Sequence, residues 1–194
     1  LDALHDSPIR TIVCRQEGGA AMMADCQGRL TGKPGICFVT RGPGATNASA
    51  GIHIAMQDSV PVILFIGQVA SHAKEREAFQ EVDYKRFFGD IAKWVVEIDD
   101  ASRIPEFVTR AFAVATSGRP GPVVISLPED MLRDEVEALD RPPVAPLAEA
   151  PDAGAVQALF ELMRQAKKPI AIVGGADWSP RAGHHFANFA ARAG

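Results

Sequence analysis

Short β-branched and apolar runs alternate with helical patterns along most of this chain, and that alternation limits the fold more than any other feature. The runs fall at Thr11 to Cys14, Ile36 to Val39, Val62 to Ile66, Trp94 to Ile98 and Val123 to Leu127. Each has the length of a strand, and most are apolar almost throughout, as strands are when both faces of a sheet are covered. Ile104, Phe107, Val108, Ala111, Phe112 and Ala115 fall on one face of a helix, with Asp99 or Asp100 placed to cap its start and Gly118 to end it. A second helix follows Glu17, with Met23, Cys26 and Leu30 on one stripe, and stops at Gly32 and Pro34. A third follows Gly44, with Ala45, Ala48, Ile52 and Met56 inward. This order predicts βαβ units in an α/β fold, a doubly wound, mostly parallel sheet.

The alternation breaks twice. Gln68 to Asp83 is polar and carries Lys74, Glu75, Arg76 and Glu77 where a connection should be short, and connections of that length are often functional. Asp140 to Asp152 holds Pro142, Pro143, Pro146 and Pro151, a stiff spacer between domains. The expected organisation is a first domain over 1–137, a linker over 138–152 and the beginning of a second α/β domain over 153–194. In that second part Val156, Leu159, Phe160 and Met163 form a helix face, Pro169 to Val173 a strand, and Gly174-Gly175 a turn. The chain starts at Leu1, and its last residues read as a helix still in progress, so a piece of a longer polypeptide is expected.

Composition removes several function classes. Lys plus Arg number 20 against 24 for Asp plus Glu, so there is no strongly basic surface to recruit nucleic acid or a membrane. The longest strongly apolar run, Val60 to Ile66, is far below the roughly 20 residues of a spanning helix. Cys14, Cys26 and Cys37 are widely spaced and form no CxxC, so neither a disulfide framework nor a zinc site is indicated, and a reducing, cytoplasmic setting is expected. His53 lies within a helical pattern, and adjacent His184 and His185 face different ways on a helix.

Three stretches can carry chemistry. Arg15-Gln16-Glu17-Gly18-Gly19 puts a carboxylate where a strand ends and a helix begins, the edge at which open α/β sheets bind ligands. On spacing alone Glu17 is more often an acidic first turn that complements the helix dipole. Thr40-Arg41-Gly42-Pro43-Gly44-Ala45-Thr46-Asn47 follows the next strand and allows close approach of a flat ligand, or is a plain strand-to-helix turn. Gly67-Gln68 and Phe79-Gln80-Glu81-Val82-Asp83 bracket the charged loop. Ser117-Gly118-Arg119-Pro120-Gly121-Pro122 reads as a rigid structural turn.

In this order the stretches RQEGGAA, TRGPGATN, IGQV, AFQEVD and SGRPGPVVISLPED resemble the thiamine-diphosphate-dependent enzymes of the acetolactate synthase group. The resemblance runs from about Arg15 to Asp130 and implies a flavodoxin-like pyrimidine-binding domain whose N-terminal strand precedes Leu1. KKPIAIVGG is similar to the opening of the family's central domain, which binds FAD in some members. By this resemblance Glu17 hydrogen-bonds N1′ of the cofactor's aminopyrimidine. It thereby favours the imino tautomer whose nitrogen removes the thiazolium C2 proton. Thr40, Pro43 and Asn47 would line the pyrimidine with Gln68 nearby, and Phe79 and Gln80 would reach toward substrate across a subunit interface.

The implied substrate is a 2-oxo acid, and the implied assembly is a homodimer or homotetramer with the cofactor between subunits. No nucleic acid or membrane partner is expected. The sequence departs from the family pattern at Gly18-Gly19, in place of Gln-Ala, and at Arg41, in place of Ser. No metal ligand is expected in this chain: the family's diphosphate and Mg²⁺ site is a GDG motif with paired asparagines in a separate domain. Half a cofactor site is therefore expected here, with no turnover by these residues alone. Two other classes are a non-catalytic binding or assembly module that keeps the fold, and a generic nucleotide-binding protein using Gly174-Gly175.

Overall fold

Four short strands zip into one parallel sheet because each offers apolar side chains to both faces and each finds a neighbour. In the computed structural model, which describes residues 2–142, 144, 150–175 and 178–193, the strands are β1 Gly35–Val39, β2 Val62–Gln68, β3 Trp94–Glu97 and β4 Pro122–Pro128. Their spatial order is β1-β2-β4-β3 and every pairing is parallel. The central ladder runs from Val62 opposite Pro122 to Gln68 opposite Pro128. The helices are α1 Asp2–His5, α2 Glu17–Thr31, α3 Pro43–Gln57, α4 Tyr84–Phe88, α5 Ile104–Thr116, α6 Ala153–Gln165 and α7 Pro180–Ala193. The predicted α/β fold with a parallel sheet between helices is the observed one.

The chain divides into two compact units, Leu1–Val144 and Ala145–Gly194. In the first, the core has two layers. Val62, Leu64, Ile66 and Val124 pack with Ala21, Ala24, Ala45, Ala48, Ile52 and Phe88 on one face of the sheet. Ile63, Val123 and Ile125 pack with Phe107, Ala111 and Ala115 of α5 on the other. The period-2 alternation of a strand sends consecutive residues of β2 to opposite layers, so the whole strand must be apolar.

Small residues let α2 and α3 press against the sheet and each other. A Cβ on Gly35 would lie 1.9 Å from the Ala24 carbonyl oxygen, and one on Gly51 would lie 2.6 Å from Ala21 Cβ. Helix α3 is closed at its far end by Arg119. Its guanidinium donates to the Met56 and Gln57 carbonyls at 2.8 and 3.0 Å and to Ser59 Oγ at 2.7 Å.

Four expectations are corrected. Thr11 to Cys14 makes no ladder: β1 pairs with β2 only, and Ile12 and Val13 stand 55% and 91% exposed. Pro169 to Val173 likewise forms no strand, and Ile170 and Ile172 are exposed. An extended segment needs a hydrogen-bonding neighbour, and neither segment has one among the described residues. On α2 the inward face is Gly18, Ala21, Ala24, Asp25 and Gly28, while Met23, Cys26 and Leu30 face out. Close packing selected the small stripe over the larger apolar one. Finally, β1 is covered on one face only, since Ile36 and Phe38 remain 42% and 49% exposed, with Phe38 stacked on Phe65.

In the second unit α6 begins at Asp152, whose carboxylate accepts from Ala155 N at 2.8 Å. Trp178 donates to the Gly174 carbonyl at 3.1 Å and meets Phe186 of α7 edge-on. No residue of α6 is buried. Of the proline spacer, Pro143 and residues 145–149 lie outside the described residues.

Candidate functional site

The helix N-termini of α2 and α3 bring Glu17 and Asn47 together, although no strand precedes α2 among the described residues, contrary to the placing of Glu17 at a strand end. Helix α2 starts at Glu17 because Gln16 turns extended and caps it, its Oε1 accepting from Gly19 N at 2.7 Å. Glu17 is thereby the first helical residue and half-buried, neither sealed in the core nor loose in solvent. Asn47, one turn into α3, donates from Nδ2 to Glu17 Oε2 at 3.1 Å. The other carboxylate oxygen has no hydrogen-bond partner among the described residues.

Behind the carboxylate lies the buried Cys37 thiol. Burial, with Cys14 and Glu17 adding to it, pushes that thiol up to about 11, so it stays protonated at neutral pH. Cys14 Sγ sits 3.5 Å from Met23 Sδ. Cys37 therefore brings no charge to the site, and a buried neutral neighbour strengthens a hydrogen bond made by the carboxylate.

The turn Thr40 to Pro43 is held from two directions. Gly42 adopts φ 58°, ψ −115°, a conformation that a side chain would resist. It is also the close-approach point for the charged loop, since a Cβ there would lie 2.6 Å from Gln80 Cβ. Its N–H donates to the Tyr84 hydroxyl at 2.9 Å, and burial raises the Tyr84 phenol above its ordinary value. Arg41 reaches from this turn to Glu129, just past β4, at 3.1 Å, and its Nε is buried with no partner. Pro43 opens α3 at the position where its missing N–H costs nothing. Thr40 is exposed at the strand end, its methyl close to Gly44.

Glu17 and Asn47 are thus brought into contact, and Gln80 is brought against Gly42. Gln68 is placed differently. It is 4% exposed, donates to the Val82 carbonyl and accepts from Val69 N, both at 2.9 Å, so its amide is spent on holding the loop. Phe79 stands out at 80% exposure. His53 is on the outer side of α3 and exposed.

Residues that sequence reasoning did not single out complete the rim. Asp130 accepts from Ser71 N at 3.0 Å, which holds its carboxyl below the usual range. Glu97 accepts from the Ser126 hydroxyl at 2.7 Å and contacts the Lys74 ammonium. The signal for Glu97 was present, a carboxylate ending the apolar run Trp94-Val95-Val96. No group of three or more His, Cys, Asp or Glu that could hold a metal occurs among the described residues. No described helix is long and apolar enough to cross a membrane.

Residues 1–87 match the family described as "Thiamine pyrophosphate enzyme, N-terminal TPP binding domain". The chain is similar to the acetolactate synthase of Bacillus subtilis (strain 168), 37% identical over 93% of this chain and 32% of that protein. It is 38% identical to the acetolactate synthase isozyme 2 large subunit of Escherichia coli (strain K12), over 90% of this chain and 32% of that protein. The acetolactate synthase catalytic subunit of Saccharomyces cerevisiae is 36% identical over 89% of this chain and 27% of that protein. The chain spans about a third of the length of these relatives.

Proposed function

We propose that the chain, whose residues 1–87 match the N-terminal domain of the thiamine pyrophosphate enzymes, supplies the pyrimidine-binding half of a cofactor site in an acetolactate-synthase-like enzyme acting on 2-oxo acids, with Glu17 as the catalytic carboxylate. The observation that carries the reading is the Asn47 to Glu17 contact at 3.1 Å, which fixes a half-buried carboxylate at the start of α2. One oxygen is fixed by Asn47, and the other is left to carry the proton that an aminopyrimidine ring nitrogen, itself an acceptor, requires. When bound, thiamine diphosphate supplies the carbanion chemistry by which a 2-oxo acid loses CO₂ and its acyl fragment is carried forward.

The chain's own contribution is orientation and proton placement. Glu17 holds a proton shared with the ring nitrogen. Asn47 keeps the carboxylate pointed. Thr40 and Pro43 offer a small, rigid edge against which a flat ring lies. Gln68 acts one step back, by fixing the backbone at Val82. Phe79 and Gln80 face the substrate, across a subunit interface in a homodimer or homotetramer. Mg²⁺ and the diphosphate are held by residues of a separate domain, and FAD, where used, by the central domain that begins after the proline spacer. The protein works in the cytoplasm.

Glu17→Gln keeps the shape and removes the charge. In the longer polypeptide it is expected to slow hydrogen–deuterium exchange at C2 of bound thiamine diphosphate by about 10²–10⁴-fold, the usual reach of a positioned acid–base group. Exchange is read by NMR of the quenched cofactor. A rate equal to wild type overturns the role of Glu17.

A further inference from the structure

The charged loop between β2 and α4 is a strap fastened at several points. Ser71 is bound to Asp130 through both its N–H and its hydroxyl. The Glu81 carboxylate accepts from Glu75 N at 2.7 Å and from Ala78 N at 3.3 Å. Three non-glycine residues of the strap, Glu75, Glu77 and Gln80, have φ of 60°, 55° and 67°. Left-handed backbone at such residues persists only where the surroundings over-determine it.

The remaining tie differs from these in kind. Lys74 meets Glu97, whose second oxygen holds the Ser126 hydroxyl at 2.7 Å. Glu97 and Ser126 are ladder neighbours at the carboxyl ends of β3 and β4, and Ser126 is 2% exposed. The Lys74 and Glu97 side chains are only 27% and 23% exposed, and the pair spans a cleft of about 260 Å³ between strap and sheet. A carboxylate at the end of an apolar strand is costly unless paired, and breaking such a pair leaves a charge short of water.

We propose that Lys74 and Glu97 are positioning residues: their ion pair, braced by Ser126, holds the strap so that Phe79 and Gln80 remain presented beside the Gly42 turn to an anionic 2-oxo acid. The substrate half of this statement rests on the reading given under Proposed function. The tie itself is a property of this chain alone.

Chymotrypsin nicking after Phe79 reads strap opening, because cleavage tracks the opened population. Lys74→Met and Glu97→Gln are each expected to be nicked about tenfold faster than wild type. The exchanged pair Lys74→Glu with Glu97→Lys is expected to return to within about twofold, as a double-mutant cycle requires for a direct interaction. Lys74→Met lies on the loop and keeps the test decisive if Glu97→Gln fails to fold. Single variants that are nicked like wild type, or an exchanged pair no slower than the singles, overturn the tie.

In the longer polypeptide, with pyruvate as probe, the single variants are expected to raise KM about fivefold or more with kcat within about twofold, and the exchanged pair to restore KM. Faster nicking with an unmoved KM overturns the positioning role while leaving the cofactor reading intact. No turnover of pyruvate by wild type overturns the substrate half, and the nicking result then judges the tie without it.

Discussion

Val62–Gln68 and the stretch Pro169 to Val173 are written in the same apolar, β-branched idiom, yet one is the spine of a sheet and the other forms no strand. β2 has a neighbour on each side, β1 and β4, and helices over both faces. Ile170 and Ile172, by contrast, stand 86% and 93% exposed. Thr11 to Cys14 repeats the lesson inside the first unit, beside an edge strand with an open side. Strand propensity is realised only where a ladder and a covering layer exist, since backbone groups must be paired and side chains must be buried for the order to hold.

The largest break of this contrast is a core truncation. Ile63→Ala, at a fully buried position, is expected to cost about 2–5 kcal/mol, the usual loss for Ile→Ala in a core. Ile172→Ala should stay within about 0.5 kcal/mol because it removes nothing packed. Urea unfolding separates the two when each variant is read by the tryptophan of its own unit, Trp94 fluorescence in a Trp178→Phe background for Ile63→Ala and Trp178 fluorescence in a Trp94→Phe background for Ile172→Ala. Equal effects would mean that the two stretches do not differ as described.

A second break uses pH. The Cys37 thiol is raised to about 11 from 9.0, so the folded protein holds a proton that the unfolded chain releases. That contribution is fully present below pH 9 and is lost as pH rises from about 9 to 11, a fall of about 2–3 kcal/mol. Cys37→Ala is expected to remove this part of the fall. At pH 8 iodoacetamide should label exposed Cys26 and spare Cys37 until the sheet unfolds.

The smallest expected effect sharpens the contrast at a helix end. Arg119→Ala removes three hydrogen bonds, to Ser59 and to the closing carbonyls of α3. The loss should be about 1 kcal/mol, for an exposed charged donor whose partners regain water. It is read as a lower urea midpoint with an unchanged slope.

Much of the first unit was legible because its signals are local. The apolar runs of β1 to β4, the periodic face of α5, the proline at the start of α3 and Gly32 after α2 each act through their own neighbours in the chain. The candidate site was legible in part for the same reason: Glu17 at a helix start and the glycine turn after β1 declare themselves by position. Its remaining members were not. Arg41 with Glu129, Ser71 with Asp130 and Lys74 with Glu97 join residues far apart in sequence, and each partner taken alone resembles a solvated surface charge. The stripe of α2 was misjudged because hydrophobicity ranks Met23 and Leu30 above Ala21 and Gly28, whereas a helix pressed against a neighbour selects for size.

By itself the sequence determined the alternating architecture, the parallel sense of the sheet and the placing of an acidic residue at its rim, because periodicity and turn chemistry are properties of consecutive residues. Only the tertiary structure decided which apolar runs became strands, which face of α2 turned inward, and that Gln68 serves the backbone of the strap. Those outcomes depend on what lies across a gap of one side chain, and that distance is set by the packing of elements that are remote in the chain.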